Sequence, residues 1–354
     1  MNAEAYEKLA QALDSLPGGF PRTESGVELQ ILQRVFSPEE VLVGCNLTGN
    51  SETIDDIAGR INLSREEIEE RLKGMLRRGI IWGSRKDGVS LFRLAPFIVG
   101  LYEEQWDVMD HELAHLCEQY FDEGGAAGIM RPDPALQRIV PAQRALKTEH
   151  ILPYDDVKSL FLQAKWFQVR DCICRRQLDL MGERKCDFPL KVCLSFSMVD
   201  RPVTPTTISQ EEALKILDEV EEIGLVHSVS NIARGYYYVC NCCGCCCFFL
   251  TGITELGIEN SVAKANYYAV VDPERCTACG ICEQRCQVNA VSVEEVAITD
   301  LAKCIGCGLC VTGCPDEAVR LSLRADAEII QPLETYKDWE MQRLRNRGLL
   351  EQEG

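Results

Sequence analysis

Residues 275–293, RCTACGICEQRCQVNAVSV, and residues 303–321, KCIGCGLCVTGCPDEAVRL, decide how the chain is read, because they align position for position. Each carries four cysteines at the spacing C-x2-C-x2-C-x3-C: Cys276, Cys279, Cys282 and Cys286 in the first copy, Cys304, Cys307, Cys310 and Cys314 in the second. The spacing has a physical cause. A tight loop, with Gly280 in one copy and Gly306 and Gly308 in the other, wraps three thiolates round one cube of iron and sulfide. The fourth cysteine opens a helix that points elsewhere, so it is expected to serve the other cluster. Zinc competes for such thiolates, but zinc motifs separate two C-x2-C pairs by a longer loop.

This doubled motif resembles the bacterial two-cluster ferredoxins, and the resemblance covers the last quarter of the chain. It implies two [4Fe-4S] clusters, one held by Cys276, Cys279, Cys282 and Cys314, the other by Cys304, Cys307, Cys310 and Cys286. It also implies low-potential one-electron transfer and sensitivity to oxygen. One departure is visible: Pro315 follows the second run as in the family, whereas Gln287 follows the first. Proline there is a turn preference and not a ligand, so local rigidity alone is affected.

A second field of ten cysteines lies upstream: Cys172, Cys174, Cys186, Cys193, Cys240, Cys242, Cys243, Cys245, Cys246 and Cys247. Four thiolates hold one [4Fe-4S] cluster, so this field predicts a third iron-sulfur cluster, with zinc as the alternative and a disulfide relay behind it. Adjacent cysteines diverge along an extended backbone, so the run cannot converge on one metal unless it turns at Gly244. The pair 172/174, placed on the strand WFQVRDCIC, is expected to present both sulfurs to one face. The candidate ligands are Cys172, Cys174, Cys186 and Cys193, with one or more of 240–247. Cys242-Cys243-Gly244 is similar to heterodisulfide-reductase cluster motifs but occurs once. As a whole, DCICRRQ, CDFPLKVCLSF and CNCCGCCC ahead of a paired ferredoxin module resemble multi-domain 4Fe-4S proteins of anaerobes.

Outward from the cysteines, the pattern predicts an α+β multi-domain chain. Residues 1–96 read as a winged-helix-like domain: apolar residues at helical spacing at Leu29, Leu32, Val35 and Phe36, a short helix from Thr53, and a third helix through Ile68, Leu72 and Met75. Ser64 and Glu67 supply a capping box for that third helix. IIWGSRKDGVSLFRL then gives a hairpin around Lys86-Asp87-Gly88. Residues 97–266 read as a central helical and cysteine-rich α/β domain that opens with a helix over 97–121. Residues 267–325 form the ferredoxin-like 2[4Fe-4S] domain, and 326–354 a helical tail expected to lie on the surface.

With 37 Lys and Arg against 55 Asp and Glu, a formal charge of −18, the long-range field opposes binding to nucleic acid or anionic lipid. A winged helix beside metal clusters admits a redox-sensing transcriptional regulator, with Arg65, Arg71, Lys73, Arg77, Arg78, Arg85 and Lys86 as candidate phosphate contacts. Glu66, Glu67, Glu69 and Glu70 crowd the same helix start and favour protein docking instead. His111-Glu112-Leu113-Ala114-His115 matches H-E-x-x-H, yet Glu118 stands three residues past His115 and no metzincin glycine and histidine follow. Its apolar neighbours fit an ordinary amphipathic helix. No secretory signal, membrane-length apolar run, Walker loop or G-x-G-x-x-G is found, so no membrane insertion is expected. The sequence therefore predicts a cytoplasmic multi-cluster electron carrier, or the electron-transfer component of an anaerobic oxidoreductase, with an oxidoreductase or flavoprotein subunit as redox partner and no complete enzyme of its own.

Overall fold

A computed structural model describes residues 2–146 and 151–350. The chain forms two compact units, one of Met1–Pro132, Gln177–Gly182 and Arg343–Gly354, the other of Asp133–Arg176 and Glu183–Gln342. Both mix helices with antiparallel strands.

In the first unit, α1 (Asn2–Asp14), α2 (Val27–Val35), α3 (Glu40–Gly44), α4 (Ile54–Ala58) and α5 (Arg65–Arg77) precede β1 (Ile81–Lys86) and β2 (Val89–Leu94), and α6 (His111–Tyr120) and α7 (Ala126–Met130) follow. Leu9, Leu13, Ile31, Leu32, Ile68, Leu72 and Met75 supply apolar faces that are at most 1% exposed. Capping boxes start α4 at Thr53 and α5 at Ser64, each side chain accepting from the backbone of the third helical residue. β1 and β2 pair from Ile81↔Leu94 to Lys86↔Val89. Asp87 and Gly88 turn between them with φ of 49° and 82°, the two positive values a type I′ hairpin needs.

The continuous helix expected over 97–121 does not form. Ile98, Val99 and Gly100 leave the helical region just after Pro96. A new helix starts only where the Asp110 carboxylate accepts from Leu113 N at 2.9 Å. Apolar spacing ran through both pieces, but the break and the internal cap divide them. The last helix, α14 (Tyr336–Asn346), is not the surface element expected, since Trp339 is 4% exposed and Arg343 fully buried. Residues 351–354 of that tail lie outside the described residues.

The second unit is built on a six-stranded sheet of β3 (Gln137–Val140), β4 (Trp166–Asp171), β5 (Lys191–Ser197), β6 (Thr207–Ile208), β7 (Val226–Ser230) and β8 (Tyr238–Cys242), in the order β3-β7-β8-β5-β4-β6. α8 (Val157–Gln163), the start of α9 (Ile173–Met181), α10 (Gln210–Ile223) and α11 (Phe248–Thr254) belong with it. The ferredoxin repeat follows as β9 (Tyr267–Val271), α12 (Ile281–Gln284), β10 (Val291–Val293), β11 (Ala297–Thr299), α13 (Leu309–Thr312) and β12 (Val319–Leu323). β9 pairs with β12, and β10 with β11, so the repeat closes on itself. No helix among the described residues is long and apolar enough to cross a membrane.

Candidate metal centres

The two cysteine runs of the repeat adopt nearly the same backbone. Ala278 and Gly306 take φ of 56° and 73°, Gly280 and Gly308 take 79° and 76°, and Asn289 and Glu317 take 53° and 48°. At Gly306 a side chain is excluded twice over, by the positive φ and because a Cβ would stand 2.4 Å from the Tyr267 carbonyl oxygen. These turns frame two small hollows. Cys276, Cys279, Cys282 and Cys314 line the first, and Cys304, Cys307, Cys310 and Cys286 line the second. The fourth cysteine of each run therefore faces the hollow of the other. Backbone amides reach corresponding sulfurs: Ala290 N lies 3.1 Å from Cys286 Sγ and Ala318 N 3.2 Å from Cys314 Sγ, while Ala297 N adds a contact to Cys276 Sγ at 3.4 Å. Such donors stabilise thiolate charge and tune a cluster's potential. Burial pushes the Cys307 thiol up to about 12, with the neighbouring Cys286 and Cys304 charges adding to it, so metal loading must displace protons there.

The central field divides into two groups. Cys186, in the loop before β5, meets Cys243, Cys245 and Cys246 from the turn after β8, and all four sulfurs lie within 4.8 Å of one another. Cys186 Sγ is 3.9 Å from Cys243 and 3.7 Å from Cys246, and Cys245 and Cys246 are 3.6 Å apart. Adjacent residues converge here because the backbone turns at Gly244, where an extended strand would have separated them. A cubane spreads its ligands, since each thiolate stands beyond its own iron. These four are instead spaced as the edges of one tetrahedron.

The other six cysteines, Cys172, Cys174, Cys193, Cys240, Cys242 and Cys247, form a second group whose members shift one another's pKa values. Strand geometry accounts for three of them. Cys240 and Cys242 alternate on one face of β8, and Cys193 stands one residue from the Leu194↔Val239 pair, which sets it beside Cys240. Contrary to the strand expected through 172/174, β4 ends at Asp171 and α9 begins at Ile173, so a turn brings those two sulfurs together. Cys247 caps the start of α11. The structure thus separates Cys186 from the three cysteines grouped with it by sequence order.

Sequence reasoning passed over Arg175. Its side chain is fully buried, with Nη1 3.5 Å from Cys243 Sγ and Nη2 donating to the Asn241 carbonyl at 3.1 Å. Burial works against its charge, but Cys172, Cys243 and Cys193 more than offset this and raise its pKa. The cation therefore faces both sulfur groups. The available signal was its place directly after Cys172-Ile173-Cys174.

Gln287, at the position that Pro315 holds in the second run, joins the repeat to the central loop. Its Oε1 accepts from Gly244 N at 2.8 Å and its Nε2 donates to the Gly224 carbonyl at 2.9 Å. A Cβ on Gly244 would stand 1.9 Å from the Gln287 carbonyl oxygen. Arg285 anchors the same segment, donating to the Glu221, Glu222 and Leu309 carbonyls at 2.7–2.8 Å. A half-buried glutamine-glycine contact therefore joins the residue after Cys286 to the residue between Cys243 and Cys245.

In the first unit, His111 and His115 place their Nε2 atoms 3.2 Å apart on an exposed helix start, while Glu112 pairs with Arg34 at 3.1 Å. Among the described residues, the one group of three or more metal-binding side chains within 4.8 Å is the four-cysteine set, so no third donor joins these histidines. Four of the five basic residues on α5 and its C-cap are engaged by acids or carbonyls: Arg65 by Asp55, Lys73 by Glu69, Arg78 by Glu40 and Arg71 by the Glu39 carbonyl, while Arg77 is exposed without such a partner.

All twenty cysteines are free thiols. No curated protein and no solved structure matches the chain significantly. Residues 269–292 and 297–320 each match the model of the 4Fe-4S binding domain family, which places a tandem iron-sulfur, electron-transfer type of domain at the C-terminal end of this chain.

Proposed function

We propose that the chain is an electron-transfer protein in which Cys276, Cys279, Cys282 and Cys314 hold one [4Fe-4S] cluster, Cys304, Cys307, Cys310 and Cys286 hold a second, and Cys186, Cys243, Cys245 and Cys246 hold one zinc ion. The observation that carries this reading is the contrast in sulfur spacing. The repeat arranges four cysteines around each of two hollows. Three of the six sulfur pairs among the central four are 3.6–3.9 Å apart and all lie within 4.8 Å, against about 3.8 Å for the edge of a tetrahedron with Zn–S near 2.3 Å.

When bound, the cubanes supply low-potential one-electron chemistry. Amide donors to Cys286, Cys314 and Cys276 stabilise negative charge at the ligands. Cys279 is exposed, which makes the rim of the first hollow the side facing a redox partner, while the second adjoins the Gln287–Gly244 contact. The four-thiol zinc would hold the turn at 243–246 in the shape that Gln287 requires. With a charge of −18 the partner surface is expected to be basic or mixed, such as an oxidoreductase or flavoprotein subunit. The first unit serves as a protein-docking module, since most of the cations of α5 and its C-cap are already engaged; retention on heparin should be absent at moderate salt.

The test is EPR of dithionite-reduced, anaerobically purified protein together with zinc analysis. Two interacting reduced clusters and about one zinc are expected, the zinc being lost in Cys186→Ser without loss of the paired signal. Iron in place of zinc at the four-thiol site, or no paired signal, would overturn the assignment.

A further inference from the structure

The repeat carries its own control, because corresponding positions line its two hollows. Val293, Ala297, Ala318 and Val319 around the first are matched by Leu321, Ala269, Ala290 and Val291 around the second. Two pairs break the match. Asp316 lines the first hollow where the buried Val288 lines the second, and Thr277 stands where the second has the buried Ile305. The Thr277 hydroxyl donates to Asp316 Oδ2 at 2.6 Å, and among the described residues no cation pairs with that carboxylate. Arg275 donates to the Asp316 backbone carbonyl and forms its ion pair with Glu317. Lys303 is its counterpart in the second run, so this cation does not distinguish the hollows.

A second charge does. Arg285 precedes Cys286, whereas Gly313 precedes Cys314, and a Cβ on Gly313 would stand 2.2 Å from Arg285 Cδ. No side chain can therefore balance Arg285 from the second run. The guanidinium crosses to α13, Nε donating to the Leu309 carbonyl at 2.8 Å and Nη2 to Thr312 Oγ1 at 3.0 Å, and Leu309 lines the second hollow. Its other bonds go to the Glu221 and Glu222 carbonyls. Every acceptor is uncharged, so the positive charge acts on its surroundings.

A carboxylate thus stands at the first hollow and a guanidinium beside the second. Reduction adds one negative charge to a cluster, which an adjacent anion opposes and an adjacent cation favours. The amide contacts to Cys286 and Cys314, at 3.1 and 3.2 Å, are alike and cancel in the comparison. Two features work the other way: Cys279 is the one exposed cysteine of the repeat, and Ala297 N lies 3.4 Å from Cys276 Sγ. These are solvent and partial-charge effects, whereas Asp316 and Arg285 carry whole charges that act in the same sense.

We propose that Asp316 and Arg285 make the two clusters unequal, so that the first electron comes to rest on the one held by Cys304, Cys307, Cys310 and Cys286. This rests on the two-cluster reading above and adds a direction to it. An electron delivered by a one-electron donor at the exposed Cys279 rim runs downhill from the first cluster to the second. The step moves one electron and neither makes nor breaks a bond.

The experiment is a mediated redox titration, read by EPR, of the anaerobic full-length protein and of two single-cluster variants. Cys279→Ser, which keeps the second cluster, should show a higher midpoint than Cys304→Ser, which keeps the first. In the Cys304→Ser background, Asp316→Asn should raise the midpoint while keeping an acceptor for Thr277. In the Cys279→Ser background, Arg285→Met should lower it and Arg285→Lys should hold it near the parent value, although lysine cannot reproduce the guanidinium's bonds. A role confined to packing would give lysine and methionine the same result. In the unsubstituted protein the signal of an isolated cluster should precede the broadened, interacting one as the potential falls. Equal midpoints or the reverse order overturn the proposal, as does an Asp316→Asn midpoint that does not rise. If Arg285→Met fails to fold, the midpoint order and Asp316→Asn decide the matter. No reduced-cluster signal from either single-cluster variant would overturn the two-cluster reading, and this proposal with it.

Discussion

Gly244→Ala tests how the ferredoxin repeat is fastened to the central loop. The added methyl would stand 1.9 Å from the Gln287 carbonyl oxygen and 2.9 Å from its carbon, both backbone atoms. Relief requires the two segments to part by roughly 1 Å, an overpacking cost of about 1–3 kcal/mol. The same movement stretches the 2.8 Å bond from Gly244 N to Gln287 Oε1, worth about 0.5–1.5 kcal/mol. Together the substitution should cost about 2–4 kcal/mol, and because Gly244 sits between Cys243 and Cys245 it should also weaken metal retention at the four-thiol group. Gln287→Pro, which copies the Pro315 of the second run, should destabilise this chain by about 1–3 kcal/mol, since it removes both side-chain bonds. Gly74→Ala is the control: nothing lies within 4 Å of its Cβ position, and alanine in a helix interior should be neutral or stabilising by up to about 1 kcal/mol. Guanidinium unfolding of anaerobic protein, followed by loss of visible iron-sulfur absorption, reads all three. A Gly244→Ala protein within about 0.5 kcal/mol of the parent would refute the reasoning.

Three further outcomes follow from particular contacts. Cys279→Ser and Cys314→Ser should each empty the first hollow, so their combination should lose no more iron than either alone, whereas Cys314→Ser with Cys307→Ser should lose both clusters; the reverse pattern in iron analysis would show unshared runs. Glu221 is 1% exposed, and its carboxylate accepts from Gln143 N at 2.6 Å and from His227 Nε2 at 3.2 Å. Burial opposes its charge, but these bonds hold its pKa below 4.5. Its contribution, about 1.5–3 kcal/mol, should be fully present above pH 4.5 and lost as pH falls through the lower folded value. Urea unfolding read by tryptophan fluorescence should therefore show a Glu221→Gln deficit that shrinks below that pH. Arg343, fully buried, donates to the Pro17, Ile129 and Pro132 carbonyls. Arg343→Ala should destabilise the first unit by about 3–5 kcal/mol in thermal unfolding, and lysine should recover little because one ammonium cannot span three acceptors.

Local signals carried much of this structure. Ser64 with Glu67, Ser209 with Glu212, and Asp87-Gly88 define their caps and hairpin through contacts only three residues long, so they are readable without knowledge of the fold. The cysteine runs are equally local, because a tight turn gathers three sulfurs from one short segment. The division of the central ten cysteines was not legible, since it depends on the β5–β8 register and on a turn at Gly244 that brings Cys186 to Cys243, Cys245 and Cys246. The break after Pro96 was hidden by apolar spacing that continues through it. Gln287 looked like a lost turn residue because its partner, Gly244, lies 43 residues upstream. Arg175 was passed over and Arg343 fell in a tail expected on the surface for the same reason: only the folded chain surrounds them with sulfur or carbonyl groups.

The central claim, that the C-terminal repeat carries two electron-accepting cubanes, is tested most directly by EPR of anaerobically purified protein before and after dithionite. The account predicts a silent oxidised repeat and, on reduction, a broadened signal from two magnetically interacting [4Fe-4S] clusters that Cys276→Ser simplifies to that of one isolated cluster. A protein whose repeat cysteines hold zinc, with no such signal after reduction, would contradict it.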